Sequence, residues 1–372
     1  MKDGLISAVW QPACEPLALS PRDWENLLGQ ARQTQLLGRL AQHLGAQDRW
    51  HEVPGPVRQY LEGLRRLLDR QHREVQWEVA CIQRALRGFR GPVVLLKGAA
   101  YLMAGLPPAA GRIFSDIDVL VAHEELSTVE SSLFRAGWIH EDMDAYKERY
   151  YRTWMHEIAP LRHVQRGTVV DLHHTISPPT SRFRVVGRQL LERIVPIEGL
   201  AGCYVLCPSD MVLHSAVHLF QEGELNKGLR DLLDMHDLLL HFGRDAQFWP
   251  DLLTRAQALG LGEPLFHVLQ HIERLFGPVC PRPLRHQLAR MAPAGLGRAL
   301  TLALFRRALV PKHPSSAREF NGLARWLLYV RSHYLRMPLN LVISHLARKA
   351  LQRYFSSDPS TDKANKVQRA AP

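Results

Sequence analysis

Two aspartates separated by one residue, Asp116 and Asp118, stand in the run Phe114-Ser-Asp-Ile-Asp-Val-Leu-Val121. The run alternates polar and apolar residues before turning fully apolar, as a strand entering a core does. Side chains on a strand alternate with period two, so both carboxylates must point to one face. Carboxylate oxygens suit hard divalent cations such as Mg²⁺ or Mn²⁺, and two such ions about 3.5–4 Å apart can clamp the attacking and leaving oxygens of an in-line phosphoryl displacement. An isolated Asp-x-Asp is more often a turn or a helix cap, but Ile117, Val119, Leu120 and Val121 argue against a turn. Asp171 supplies a third carboxylate, inside the apolar run Val169-Val-Asp-Leu172. An unpaired charge is costly to bury there, so something cationic should sit beside it.

Phosphate-binding groups are expected upstream. Gly98 follows the apolar run Pro92-Val-Val-Leu-Leu96 and precedes a short helix-like stretch to Met103. A glycine there lets the backbone approach a phosphate closely, and the helix start offers free N–H groups. Lys97 and Arg112 flank the same loop system and could balance the charge of the β- and γ-phosphates, although each alone is more often a surface charge.

The elements that must position these residues can be read from periodicity. Residues 1–90 form an N-terminal helical region, with Trp24, Leu27, Leu28, Ala31, Leu36 and Leu37 at helical spacing and a long second segment over Tyr60–Leu86. Residues 91–206 form a small mixed sheet, with strands expected at 92–96, 114–121, Tyr151–His163 and Thr168–Thr175 and a crossover helix at Glu124–Ala136. Residues 207–355 form an all-helical domain, starting at Ser209-Asp210 and continuing through Leu229–Phe242, Phe248–Leu259, Pro264–Phe276, Leu296–Leu309 and Ala324–Tyr354. Residues 356–372 lack apolar periodicity and read as a disordered tail. The fold class expected is α+β.

Composition narrows the partners. Of the 372 residues 46% are hydrophobic, no apolar run is long enough to cross a bilayer, and the N-terminus lacks the pattern of a secretory signal, so a cytoplasmic protein is expected. The five cysteines are scattered and form no CxxC pair, which leaves Cys203 and Cys207 as buried thiols rather than zinc ligands. His214 and His218 share a helix face and with His173 or His174 could form a zinc site, but there is no HExxH motif and packed, hydrogen-bonded histidines are the preferred reading. Net charge is +11, and from Arg282 to Arg353 the sole acid is Glu319. That segment ends in a basic amphipathic stretch, Arg331–Tyr354, with Leu339, Val342, Ile343, Leu346, Ala350 and Leu351 on one face. It suits internal packing first, and then an anionic membrane surface or an RNA backbone, with Trp326, Tyr329 and Tyr334 as anchors.

In the order of these motifs the chain resembles the nucleotidyltransferase superfamily with the DNA polymerase β-like fold. More narrowly, Leu96-Lys-Gly98, Arg112 with Ser115-Asp-Ile-Asp-Val-Leu-Val121, Val170-Asp-Leu-His173, and Ser209-Asp-Met-Val-Leu-His214 with His218 resemble an uncharacterised bacterial nucleotidyltransferase family over residues 90 to 242. The resemblance implies NTP as substrate and Mg²⁺ or Mn²⁺ on Asp116, Asp118 and Asp171, with Asp171 also helping to activate an acceptor hydroxyl. It implies Gly98 beneath the triphosphate and pyrophosphate as leaving group, and it leaves the acceptor open among protein, small molecule and RNA. Ala99 departs from the second Gly or Ser common in the superfamily, and the loop from Gly98 to Asp116 is longer than in its simplest members. A second reading keeps the fold as a catalytically silent scaffold that binds a membrane, nucleic acid or protein through its basic helices. Three converging, mutually repelling carboxylates weigh against it.

Overall fold

The structure is a computed structural model that describes residues 6, 9–10 and 19–337, apart from 47–48, 142 and 293–294. Three helices come first: α1 (Pro21–Gln33), α2 (Leu37–Ala46) and the long α3 (Gly55–Ala85). Ser20 starts α1 with a capping box, its hydroxyl accepting from Asp23 N while the Asp23 carboxylate accepts from Ser20 N. Then follow β1 (Val93–Leu95), α4 (Lys97–Met103), β2 (Ile117–Leu120), α5 (Leu126–Arg135), β3 (Trp138–His140), α6 (Ala145–Trp154), β4 (Leu161–His163), β5 (Val169–His173), α7 (Gly187–Leu191), β6 (Ile194–Pro196) and β7 (Cys203–Leu206). The remaining helices are α8 (Pro208–Gln221), α9 (Gly228–Phe242), α10 (Phe248–Ala258), α11 (Gly262–Phe276), α12 (Arg285–Arg290), α13 (Leu296–Ala308) and α14 (Asn321–Arg336).

One seven-stranded mixed sheet holds the order β3-β4-β5-β2-β1-β7-β6, so the class is α+β as expected. β2 lies at its centre, antiparallel to β1 and parallel to β5. All of β1 and β2 is buried, which explains why both read as near-continuous apolar runs. The parallel register sets Asp118 opposite Asp171 and Leu120 opposite His173. Asp116 stands one residue ahead of β2, at its mouth.

Two readings of the sequence need correction. The strand expected over Tyr151–His163 is confined to β4, because its beginning belongs to α6. Asp144 caps that helix by accepting from Lys147 N at 2.7 Å, and Glu148 and Arg152 pair one turn apart. Strands β3 and β6 were not expected; at three residues each they are too short for alternation to register. The outer part of the expected amphipathic segment, with Leu339, Val342, Ile343, Leu346, Ala350 and Leu351, and the tail 356–372 lie outside the described residues. Trp326, Tyr329 and Tyr334 are exposed on α14. No described helix is long and apolar enough to cross a membrane.

A continuous buried cluster joins all three regions, from Leu27 and Leu40 in the first helices through Val94, Leu120 and Leu172 in the sheet to Leu213, Leu232 and Leu269 beyond it. α8 is its central rod, packed against α9, α10, α11 and α14 and against β7. Its first turn is fixed by Asp210, fully buried, which receives Arg255 through Nε at 2.7 Å and Nη2 at 2.8 Å. The Ser209-Asp210 motif therefore serves the helical packing. On the other flank the backbone of Gly38 in α2 meets that of Gly111, where a Cβ on Gly38 would lie 2.3 Å from the Gly111 carbonyl oxygen. Gly111 also adopts φ +74°, which favours glycine. Backbone cannot yield as a side chain can, so Gly38→Ala should cost about 2 kcal/mol of stability. Urea denaturation checks this; an unchanged midpoint would mean that the two backbones are free to separate.

Candidate active site

β2 and β5 present their carboxylates to a cavity of about 450 Å³ whose walls include Lys97, Gly98, Asp116, Asp118, Glu157 and Asp171 from the sheet side. Ser215, His218, Glu222, Lys227, Arg230 and Arg336 close it from the helical side. The sequence-derived residues Lys97, Gly98, Arg112, Asp116, Asp118 and Asp171 thus all line one space.

Asp118 is the most constrained of them. Its Oδ1 receives Lys97 Nζ and His173 Nε2, both at 2.9 Å, which leaves Oδ2 for another partner. Burial alone would raise its pKa, but the Lys97 ammonium and the hydrogen bond from His173 hold it well below the ordinary carboxylate range. Burial alone would likewise lower Lys97, and Asp118, with Glu157 and Asp116 beyond it, holds the ammonium above its usual value. Both shifts favour the charged pair. Lys97 reaches Asp118 from a backbone with φ 45°, an uncommon conformation for a residue with a Cβ, between extended Leu96 and the helix that follows.

Asp171 is the opposite case. Its Oδ1 is buried without a hydrogen-bond partner. Burial first, then repulsion from Glu157, Asp118 and Asp116, pushes its pKa up to about 7. Asp116 is half-buried and accepts from the Ser115 hydroxyl at 3.0 Å.

Gly98 is required sterically. A Cβ there would meet Phe114 at 2.9 Å and Arg112 Nε at 3.1 Å, so the glycine lets the loop before β2 fold over the start of α4. Arg112 crosses to the helical side, where it pairs with buried Asp234 of α9 and lies over the ring of Tyr101, 5.6 Å from its centre. Burial, then the neighbouring Arg230, lowers Arg112 to about 10, still charged at neutral pH. Tyr101 completes the bridge between the two sides, its hydroxyl 2.9 Å from Ser215 Oγ in α8.

Sequence reasoning missed His156 and Glu157. They lie between α6 and β4, where Glu157 forms an isolated antiparallel bridge with His173. Glu157 Oε2 is 3.3 Å from His173 Nε2 and 3.7 Å from His156 Nε2. The available signal was a His-Glu pair followed by apolar Ile158-Ala159, in a stretch read as a plain strand. His214 is buried and His218 lines the cavity, both held well below the ordinary histidine range by burial, then chiefly by Lys97 nearby. They do not join His173 as a ligand set: among the described residues the one group of three potential metal ligands is His156, Glu157 and His173. Cys203 and Cys207 are buried free thiols.

The donor set fits a hard divalent cation. Asp116, Asp118 and Asp171 line one cavity without being drawn into a ready-made ligand group, one buried oxygen lacks a hydrogen-bond partner, and burial with repulsion from the neighbouring acids raises Asp171, conditions that a bound cation would relieve.

The rise in Asp171 has a measurable consequence without any ion. Below about pH 4 the carboxyl is protonated in folded and unfolded chain alike. Between about pH 4 and 7 the unfolded chain releases a proton that the folded chain keeps, so stability falls as pH rises and levels off above 7. Asp171→Asn should therefore be more stable than the wild type at pH 8 in chelator, by on the order of 2 kcal/mol after allowance for partial exposure, with the gap closing toward pH 4. Denaturant titrations across pH test this; a gap independent of pH would show that repulsion does not act on Asp171.

A family model described as an uncharacterised nucleotidyltransferase matches residues 20–277, well over half of the chain. No curated protein and no solved structure matches it.

Proposed function

We propose that this chain, which belongs to the uncharacterised nucleotidyltransferase family, transfers a nucleoside monophosphate from an NTP to an acceptor hydroxyl with release of pyrophosphate. The observation that carries the reading is the convergence of Asp116, Asp118 and Asp171 on one cavity, set by the β2–β5 register and by the short step ahead of β2.

The residues divide the work by their environments. Lys97 and His173 fix Asp118 through Oδ1, so Oδ2 together with Asp116 and Asp171 would hold Mg²⁺ or Mn²⁺. When bound, such a cation supplies charge neutralisation at the reacting phosphate. Asp171, whose Oδ1 has no hydrogen-bond partner, would take the proton of the acceptor hydroxyl as its oxygen attacks the α-phosphorus. Gly98 lines the cavity beside α4, where the triphosphate would lie.

Lys97 and Arg112 stand where phosphate charge would lie, yet each already faces a carboxylate, Asp118 and Asp234. Arg230 faces Asp231, and Arg336 faces Glu222. Lys227 lines the same cavity and has no ion pair or hydrogen bond among the described residues, so its ammonium is the charge most available to the leaving pyrophosphate. The acceptor must also bear a hydroxyl that can enter a cavity with both acidic and basic walls.

Purified protein and the Asp116→Ala/Asp118→Ala variant, incubated with α-³²P-labelled NTPs, Mg²⁺ or Mn²⁺ and cell extract, test the reading. Label should pass to protein, RNA or small molecule with the wild type alone. Absence of transfer and of metal-dependent NTP binding would leave the silent-scaffold reading in its place. Lys227→Ala should raise the KM for NTP by about tenfold with a smaller change in kcat, consistent with loss of one charge-assisted contact to phosphate. An unchanged KM would remove Lys227 from the triphosphate site.

A further inference from the structure

His156 and Glu157 take no part in the nucleotidyl-transfer reading, and they form a cluster with His173, which faces Asp118 in that reading. Their ligand atoms all lie within 4.8 Å of one another, and two of the separations are 3.3 Å and 3.7 Å. Two ligand atoms about 2.1 Å from one ion and separated by 90–110° at that ion lie roughly 3.0–3.4 Å apart. Two of the three spans thus lie within some tenths of an ångström of those around a single ion, and the third, His156 to His173, lies within 4.8 Å. His173 is completely buried, and His156 is largely so. Burial, reinforced by His173 and Lys97 nearby, keeps His156 well below the ordinary histidine range, so its imidazole is neutral at physiological pH and has a lone pair to offer. The opposite side of the cluster touches the aspartates: Asp118 Oδ1 is 2.9 Å from His173 Nε2.

We propose that His156, Glu157 and His173 form a second metal position, selective for a divalent transition metal of the Zn²⁺ class, beside the all-oxygen position of Asp116, Asp118 and Asp171. Two imidazole nitrogens with one carboxylate favour Zn²⁺ and its later transition-metal neighbours, whereas Mg²⁺ prefers oxygen ligands. The ligand set leaves coordination positions open toward the cavity, and Asp118 borders both sites. An ion there would complete the pairing of Glu157, one of the three acids that push Asp171 up. An ion on His173 Nε2 would displace its hydrogen bond to Asp118 Oδ1 and leave Lys97 as the partner of that oxygen, so the inference alters one contact of the proposed site while its test, ion binding without nucleotide, does not depend on transfer.

Co²⁺ is the probe, because nitrogen ligation gives it visible absorption bands while Mg²⁺ is silent. Tag-free, chelator-treated full-length protein is titrated with Co²⁺ in the absence of nucleotide. The expected result is a visible band saturating at one equivalent, bleached by Zn²⁺ and unaffected by excess Mg²⁺. His156→Ala, at a partly exposed position, should weaken Co²⁺ binding by about tenfold or more, with circular dichroism checking that the fold is kept. Asp116→Asn should retain the band. Three outcomes would overturn the proposal: no band at one equivalent in the wild type, an unchanged band in both His156→Ala and Glu157→Gln, or a band lost as fully in Asp116→Asn as in His156→Ala. The first two would reduce the cluster to ordinary hydrogen bonds, and the third would assign the ion to the aspartates.

Discussion

Like-charged carboxylates crowded into a poorly solvated space repel one another, and this chain brings four of them to the sheet side of one cavity: Asp116, Asp118, Glu157 and Asp171. Within the sheet His173 of β5 relieves part of that repulsion at Asp118, but β2 and β5 set Asp118 and Asp171 side by side through the register of their backbone hydrogen bonds. The surroundings share it out unequally. Asp118 receives a lysine and a histidine and stays charged, whereas Asp171 receives nothing at Oδ1 and is pushed toward its neutral form. Two chemically identical side chains thereby acquire different characters, one held as an anion and the other pushed up to a pKa of about 7.

The unequal sharing depends on local geometry around Lys97 and Gly98. A left-handed turn at Lys97 aims its side chain back at β2, and the missing Cβ at Gly98 admits Phe114 and Arg112 over the start of α4. The strain at Lys97 is sustained by a buried ion pair on one side and by the backbone bond from Leu96 N to the Asp118 carbonyl oxygen on the other. A lysine that only decorated the surface would have no such restraint.

Much of this was legible in the residue order. Asp116 and Asp118 could be placed on one face by the period of a strand, and Asp171 stood out as a charge within an apolar run. What the pattern lacked was the register that sets Asp171 opposite Asp118, since one strand's periodicity says nothing of its neighbour's alignment. His156 and Glu157 escaped because they join the sheet through a bridge a single residue long. The α6 residues, rich in tyrosine and tryptophan, resembled a strand until the Asp144 cap and the Glu148–Arg152 pair were considered. Lys227 and Arg336 were invisible for a different reason: their part in the cavity follows from the packing of helices more than fifty residues beyond the last expected carboxylate. The departures noted at Ala99 and in the loop from Gly98 to Asp116 have a physical setting too, since Ala99 is buried and the loop carries Arg112 across to α9.

That crossing by Arg112 bears on how a substrate gets in. Swinging the helices away from the sheet would part Arg112 from Asp234 and break an ion pair that joins the two sides of the cavity. The cavity is thus a riveted vestibule and not a pair of jaws.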